Sequence, residues 1–587
     1  MPATFPHQFA LVNSLRKHIE SITQLHPQPA ILILLLYWLF RNGFHTVQRI
    51  FDYYTPLPTW DYWRIVLNLN EYRSFHLGIL WTQHNEHRIV FPELFFAADM
   101  LLLHGRLILP LIVSFLCYLA TFLMLSSPIY LDRYLTKFER FTAIALAGVL
   151  VFWEGCANVL ASPFLLVWTM MQFTTACSFV FLSRMKNTKS SVPLLGTAIA
   201  ATIATYSSGN ALVLWPLIIS LALFLRLGKT QLFVLSSSAV INFAFYFVNY
   251  RSSSSLNLWN FWVHPVYSFN YITSYLSMPF GGKGAPSFGI AAGLLSLVGT
   301  ATLFLLAVRK QVHTSPPAIV LFGYYVFTSL TALVTAAGRM DPQDSQFIAA
   351  KASRYVTVPQ MHWGVVILLC LWVAWRALHP KQIGNVLALG VAILLFVYLP
   401  KLAPWLGATA DLFAEQQLET LSVEDGLTDK NLLLKICPSL PAVSAGLSSL
   451  QQSNLSIYYH FRGRWLGQPV HLFSPIRNSM PGAITQATSV DSGLQVLGWA
   501  DFSEWKSPYR WVIMTDESGT IVGFGSHFPA GFPRSVRSPT NPSPFGWVGF
   551  ISQRRRPKTV FAYIVSPRRN EIFPLTGSLP LPQESHE

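Results

Sequence analysis

The chain has 587 residues, 52% of them hydrophobic and only 11% charged, with a mean hydropathy of +0.41 and a formal net charge of +15. Soluble domains carry roughly 25% charged residues, so this composition excludes a wholly soluble protein and directs most of the chain into lipid or a buried helix bundle. The surplus Lys and Arg read as residues flanking membrane spans; no RNA- or DNA-binding motif accompanies them, and nucleic acid is not an expected partner.

Residues 1–29 lack the apolar stretch and small-residue cleavage site of a signal peptide and are expected to be a cytoplasmic tail. Runs of about 17–25 apolar residues, the length that crosses a bilayer, are expected near 30–50, 106–126, 141–158, 160–182, 192–207, 210–226, 231–249, 286–308, 317–337, 361–378 and 384–402. These make 30–403 a multi-span membrane domain of about eleven helices. The clean part of the first run, Ala30 to Phe40, stops at Arg41. It is kept because the loop charges then agree throughout. With the N-terminus inside, the inner side receives Arg16 and Lys17, then Arg133, Lys137 and Arg140, then Arg184, Lys186 and Lys189. Arg226, Lys229, Arg309, Lys310, Arg376 and Lys381 follow, and this Lys/Arg bias sets orientation. The outer side receives 51–105, 250–285, 338–360 and everything after 403. Residues 88–104 are apolar but cannot cross without breaking the parity, so they read as an interfacial or re-entrant helix.

Beyond 403 the pattern changes. Residues 404–480 read as a helical connecting segment with runs LFAEQQLETL, NLLLKI and AGLSSLQQ. Residues 481–587 carry short β-rich runs, LQVLGWA, YRWVIMTD, TIVGFG, FGWVGFI and KTVFAYIV, separated by DESG, a Pro-rich stretch and RRRPK. Short strands at this spacing predict a small β-sandwich. Cys117, Cys156, Cys177 and Cys370 lie in or beside apolar runs. Cys437 stands alone in the tail, so the tail has no internal disulfide, and no cysteine spacing reads as a metal site.

The stretch from Thr59 to Leu94 is too polar to cross a bilayer and too aromatic for an idle loop. Asp61 stands between Trp60 and Tyr62, with Trp63 next. The aromatic rings are expected to anchor it at headgroup level, where a carboxylate can take a proton from an attacking hydroxyl or hold a divalent cation. His84, Glu86 and His87 fall within four residues. They read either as metal ligands, although the spacing is not H-E-x-x-H, or as a polar helix end. The loop 338–357 carries Arg339, Lys351 and Arg354. These either bind phosphate or pair with Asp341 and Asp344. Glu154 and Asn158 at one span end, and Ser207, Ser208, Gly209 and Asn210 at another, read as helix caps or cavity lining. Gly281, Gly282 and Lys283 lack the P-loop spacing.

An inside N-terminus, an acidic residue soon after the first span, an interfacial helix in the same loop and a soluble outer C-terminal domain together resemble the polytopic GT-C glycosyltransferases. The residues that carry the resemblance are Asp61 in TWDYW, HNEHRIVFP at 84–92, SSGNALVLWP at 207–216, and GRM with KASRYVT at 338–357. It covers residues 30–403 and is architectural more than motif-exact. The resemblance implies a polyprenyl-phosphate sugar donor, an envelope glycan or lipid acceptor, and an active site facing away from the cytoplasm. It implies Asp61 as base or metal ligand, with a divalent cation such as Mg or Mn as the possible cofactor. A second acidic residue near the first, common in the family, is absent here; Asp52, Glu71 and Glu86 are the nearest. The expected protein is an α-helical polytopic enzyme of a bacterial inner membrane, contacting lipid, with its C-terminal domain extracytoplasmic. Asp61 and Glu86 are the candidate catalytic residues. Trp60, Tyr62, Trp63, His84, His87, Arg339, Lys351 and Arg354 are the candidate substrate-binding residues. The rival reading is a lipid-linked glycan transporter or an assembly scaffold. An outer cavity holding both Asp61 and Arg354 favours the enzyme; a central two-sided path favours the transporter.

Overall fold

The computed structural model describes residues 27–186, 188, 190–251, 258–280, 286–341, 343–344, 346–378, 382–459, 465–472, 479–501, 511–527, 546–566 and 571–581. Arg16, Lys17, Lys189, Gly281, Gly282, Lys283 and Lys381, and the Pro-rich stretch of the tail, lie outside them. The main helices are α1 (Pro27–Tyr53), α2 (Val90–Leu102), α3 (Ile108–Tyr130), α4 (Lys137–Val151), α5 (Leu166–Met185), α6 (Val192–Thr205), α7 (Leu214–Phe224) and α8 (Lys229–Phe247). They continue with α9 (Pro265–Leu276), α10 (Pro286–Arg309), α11 (Pro316–Arg339), α12 (Thr357–Ala377), α13 (Gln382–Tyr398), α14 (Ala403–Glu424), α15 (Lys430–Ile436) and α16 (Leu440–Gln452).

Among the described residues eight helices, α1, α3, α5, α8, α10, α11, α12 and α13, are long and apolar enough to cross a membrane. A ninth results if α4 and the short helix after it, bent by 44°, count as one span. The runs expected at 192–207 and 210–226 form the shorter helices α6 and α7.

The first helix, expected near 30–50, runs through Arg41 from Pro27 to Tyr53. Its polar residues Asn42, Thr46 and Arg49 recur at helical spacing and so share one face. That face meets the end of α4. The Asn42 amide donates to the Val149 carbonyl and the Thr46 hydroxyl to that of Phe152, both at 2.9 Å. Arg49 pairs with Glu154 at 3.0 Å. The last carbonyls of a helix have no partner within it, and here other helices supply them. Tyr118 of α3 donates to the Val151 carbonyl at 2.9 Å, and Gln360 of α12 donates to those of Leu150 and Trp153 at 2.9 and 3.0 Å. The break is therefore a built feature, and it leaves Asn158 and Ser162 on the turns that follow.

Helix α2 occupies the stretch read as interfacial or re-entrant. It is held by two buried carboxylates. Asp99 accepts from the N–H groups of Leu107 and Leu109 at 2.7 and 3.0 Å and so caps α3. Glu93 accepts from the Tyr72 hydroxyl at 2.7 Å and faces Arg64 at 3.4 Å.

The C-terminal domain is not a two-sheet sandwich. Its strands form one antiparallel sheet in the order β1-β2-β5-β4-β3-β6-β7, with β8 on β6, curled into a half-barrel. The strands are β1 (Gly482–Val490), β2 (Gly493–Ala500), β3 (Trp511–Thr515), β4 (Ile521–Ser526), β5 (Gly546–Ser552), β6 (Thr559–Ser566), β7 (Glu571–Pro574) and β8 (Leu579–Pro580). Helix α14 replaces the second sheet: its Leu418 and Leu421 pack with Ile513, Phe524, Val548 and Phe550. On the other face Trp547 lies across Gly498, where a Cβ would come within 2.3 Å of the indole. Only glycine permits that approach, which is why the GWA run of β2 carries one.

Candidate active site

The turns at one end of the helix bundle converge on Asp61. The chain enters through Trp60, whose φ of +50° is in the left-handed region. Such backbone strain in a bulky residue persists only where surroundings impose it. Asp61 is half-exposed and lines a cavity of about 250 Å³. Thr59, Trp60 and Tyr62 lie beside it, Asn158, Ser162 and Phe164 come from the turns after α4, Arg354 precedes α12, and Phe413 and Gln416 belong to α14. Asp61 and Arg354 thus share one cavity.

The sequence His84–His87 is a tight turn, neither a helix end nor a metal cage. Residues 84 and 87 exchange both backbone hydrogen bonds at 2.8 Å, and Asn85 takes a φ of +49°. The two imidazoles have separate partners. His84 stands with its Nε2 3.6 Å from the Asp61 carboxylate, its ring against Phe164. His87 accepts the Gly209 N–H on Nδ1 at 3.1 Å. Burial lowers the His87 pKa to about 4, so it stays neutral and keeps that acceptor. The Glu86 carboxylate accepts from Arg339 at 2.8 Å, while its backbone carbonyl takes the Tyr246 hydroxyl at 2.9 Å. Arg88, buried, donates to the carbonyls of Tyr246 and Val248 at the end of α8 and to that of Trp81. It thereby locks the turn onto α8.

The electrostatics favour an anion at Asp61, and among the described residues Arg354 shares its cavity without an ion pair. The neighbouring His84 lowers the Asp61 pKa most, and Arg354 and Arg339 add to it against the opposing effect of burial. Arg339 did not pair with Asp341 or Asp344; its partner is Glu86. Arg354 sits 4.9 Å over the Tyr355 ring, and among the described residues it forms no ion pair. Lys351 lies off the cavity, with Asp344 as its charged neighbour; burial lowers its pKa.

The aromatic residues divide. Trp60 is 52% exposed, but Tyr62 and Trp63 are buried and do not sit together at a headgroup surface. Tyr62 packs edge-on against Phe96, and its ring forms part of the cavity wall. Trp63 lies against Gly446 of α16, where a Cβ would meet its ring at 2.5 Å, and does not line the cavity. Gln416 and Phe413 also line the cavity, and neither is marked as a site residue by the sequence. Phe413 stacks on Tyr53 with centroids 4.3 Å apart, and Thr420 bonds Thr55 at 2.6 Å across 365 residues. The signal in the sequence was the helical LFAEQQLETL run soon after the last span.

Among the described residues no group of three or more His, Cys, Asp or Glu side chains is placed to hold a metal ion. Asp61 and His84 offer two donors, while Glu86 is committed to Arg339 and His87 to Gly209. These residues do not make a dedicated cation site. Compared with family models, with characterised proteins and with solved structures, the chain finds no match.

Proposed function

We propose that this chain is a membrane glycosyltransferase that moves a glycosyl group from a polyprenyl-phosphate sugar to a cell-envelope glycan or lipid. The observation that carries the reading is the cavity shared by Asp61 and Arg354. Its volume of about 250 Å³ is below the roughly 300–1,000 Å³ of drug-sized pockets and suits one sugar ring. In the proposed step the acceptor oxygen bonds to the anomeric carbon as the bond from that carbon to the phosphate oxygen breaks. The acceptor proton passes to the Asp61 carboxylate. The electron pair leaves on the phosphate, where Arg354 faces the growing charge. Asn158, Ser162 and Gln416 offer hydrogen-bonding groups for sugar hydroxyls. His84 positions Asp61, and Glu86, held by Arg339, positions His84 through the turn. The reading assigns no step to a metal ion. It places the cavity and the C-terminal domain on the outer face of a bacterial inner membrane.

The test is incubation of the purified protein with a panel of radiolabelled polyprenyl-phosphate sugars and envelope acceptors. Transfer from one donor, lost in Asp61→Asn, supports the enzyme. No transfer from any donor, with the labelled lipid instead moved across a vesicle bilayer, replaces it with the transporter.

A further inference from the structure

The C-terminal domain carries a second concavity. An open groove of about 700 Å³ lies between the turn joining β3 to β4 and the RRRPK run joining β5 to β6. Arg554, Arg555, Arg556 and Lys558 line it together with Asp516 and Glu517. Each carboxylate is tied to the fold through one of its oxygens. Asp516 accepts from the N–H groups of Ser518 and Thr520 at 2.9 Å and from the Ser518 hydroxyl at 2.7 Å. Glu517 accepts from the Thr559 N–H at 2.5 Å. Among the described residues Arg554 and Lys558 form no ion pair. Arg555 donates to the Asp425 carbonyl at 3.4 Å, which ties the groove to the end of α14.

A run of like charges on a loop is ordinarily a solvated face. This one differs because four cations line a concavity that holds only two carboxylates, which leaves it a net positive charge. Cations gathered in a cleft focus their field on an anion, and arginine matches carboxylate and phosphate oxygens in pairs. The groove is also linked to the Asp61 cavity. Helix α14 lines that cavity with Gln416, and about nine residues, roughly 13 Å of helix, separate Gln416 from Asp425 at the groove.

We infer that the groove binds an acidic glycan; resting on the transfer reaction proposed above, this glycan is the acceptor, gripped here while its end reaches Asp61. The two sites then measure the acceptor: the groove selects for charge, and the cavity admits one ring.

The experiment uses the full-length protein in neutral-lipid discs, with polygalacturonate as probe and neutral dextran of matched length as comparison. Polygalacturonate should bind, more weakly as salt rises, and dextran should not. Arg554→Glu with Lys558→Glu should weaken binding about tenfold or more. Arg554→Gln with Lys558→Gln, which removes charge without opposing it, should lose less. Lys430→Glu, which changes the charge by as much as the Gln pair but off the groove, should bind as wild type. Equal binding by all variants, or equal binding of dextran, overturns the proposal. So does capture of anionic-lipid vesicles through Arg554 and Lys558 without polygalacturonate binding. Polygalacturonate binding in a protein that transfers from no donor overturns the transferase reading and leaves the groove standing. Transfer without such binding overturns the groove alone.

Discussion

Asp61→Asn keeps the size of the side chain and much of its hydrogen bonding but removes the base. Transfer should fall about 10²–10⁴-fold, with donor binding unchanged in a titration. A near wild-type rate at normal expression would take the role from Asp61. Arg354→Ala removes a phosphate contact instead. Donor affinity should fall, and turnover with it if the contact tightens as charge develops. Arg339→Ala should act differently again, through release of Glu86 rather than through the donor. His87 yields a pH prediction. Its pKa is lowered from 6.5 to about 4, so on acidification the unfolded chain takes up a proton that the folded chain resists. Its contribution to stability is complete above the unfolded value and is lost as pH falls from there toward the folded one. The melting midpoint should drop on the acid side. His87→Asn, whose side-chain oxygen can still accept the Gly209 N–H, should flatten that limb of the profile. Equal acid limbs in the two proteins would acquit His87.

Two elements carry their own tests, and they differ in how far the sequence revealed them. The His84–His87 turn depends on Gly209, where a Cβ would come 2.7 Å from the Tyr246 hydroxyl, 2.9 Å from His87 Nδ1 and 3.1 Å from the Glu86 carbonyl. Gly209→Ala should destabilise by about 1–3 kcal/mol, read by thermal melting; an unshifted midpoint would mean the turn gives way at no cost. The SSGN run marked this position as polar, but not as a contact, because its partners lie far off in the chain. The half-barrel was legible as strands and not as an architecture. Alternation in each strand announces an apolar face, but it does not say whether a second sheet or a helix covers it. The cover is α14, with Leu418 and Leu421 on Phe524 and Phe550. A fragment of residues 411–587 should therefore melt cooperatively with a β-type spectrum. A fragment starting at about residue 480 exposes that face and should aggregate or stay unstructured. Cooperative folding of the shorter fragment would show that the sheet closes its core without α14.

In the whole molecule, the outer loops inferred from Lys/Arg bias come together in space. Asp61, Glu86, Gly209, Arg339 and Arg354 share one end of the bundle, and α14 joins them there. Two of the loops read as inner meet at the other end, where Arg376 lies 3.5 Å over the Tyr134 ring and Trp372 donates to Asp132 at 2.8 Å. The grouping was legible because charge bias acts loop by loop and needs no tertiary contact. The cavity walls were not, since Gln416 and Phe413 reach Asp61 only after the whole helical domain has folded. Which end faces the cytoplasm is an expectation from the bias alone, and it decides whether the site can meet envelope substrates. The end holding Arg133, Arg140, Arg309, Lys310 and Arg376 should be cytoplasmic, so residues 404–587 and the Asp61 cavity should lie outside. A reporter that matures only in the cytoplasm, fused after Leu402, should stay dark; one that is active only outside should respond. The same pair fused after Lys310 should give the opposite result, which guards against a reporter that is dark because the fusion is degraded. If the Leu402 fusion is bright in the cytoplasm, the Asp61 cavity faces inward, and a donor presented on the outer leaflet cannot reach it.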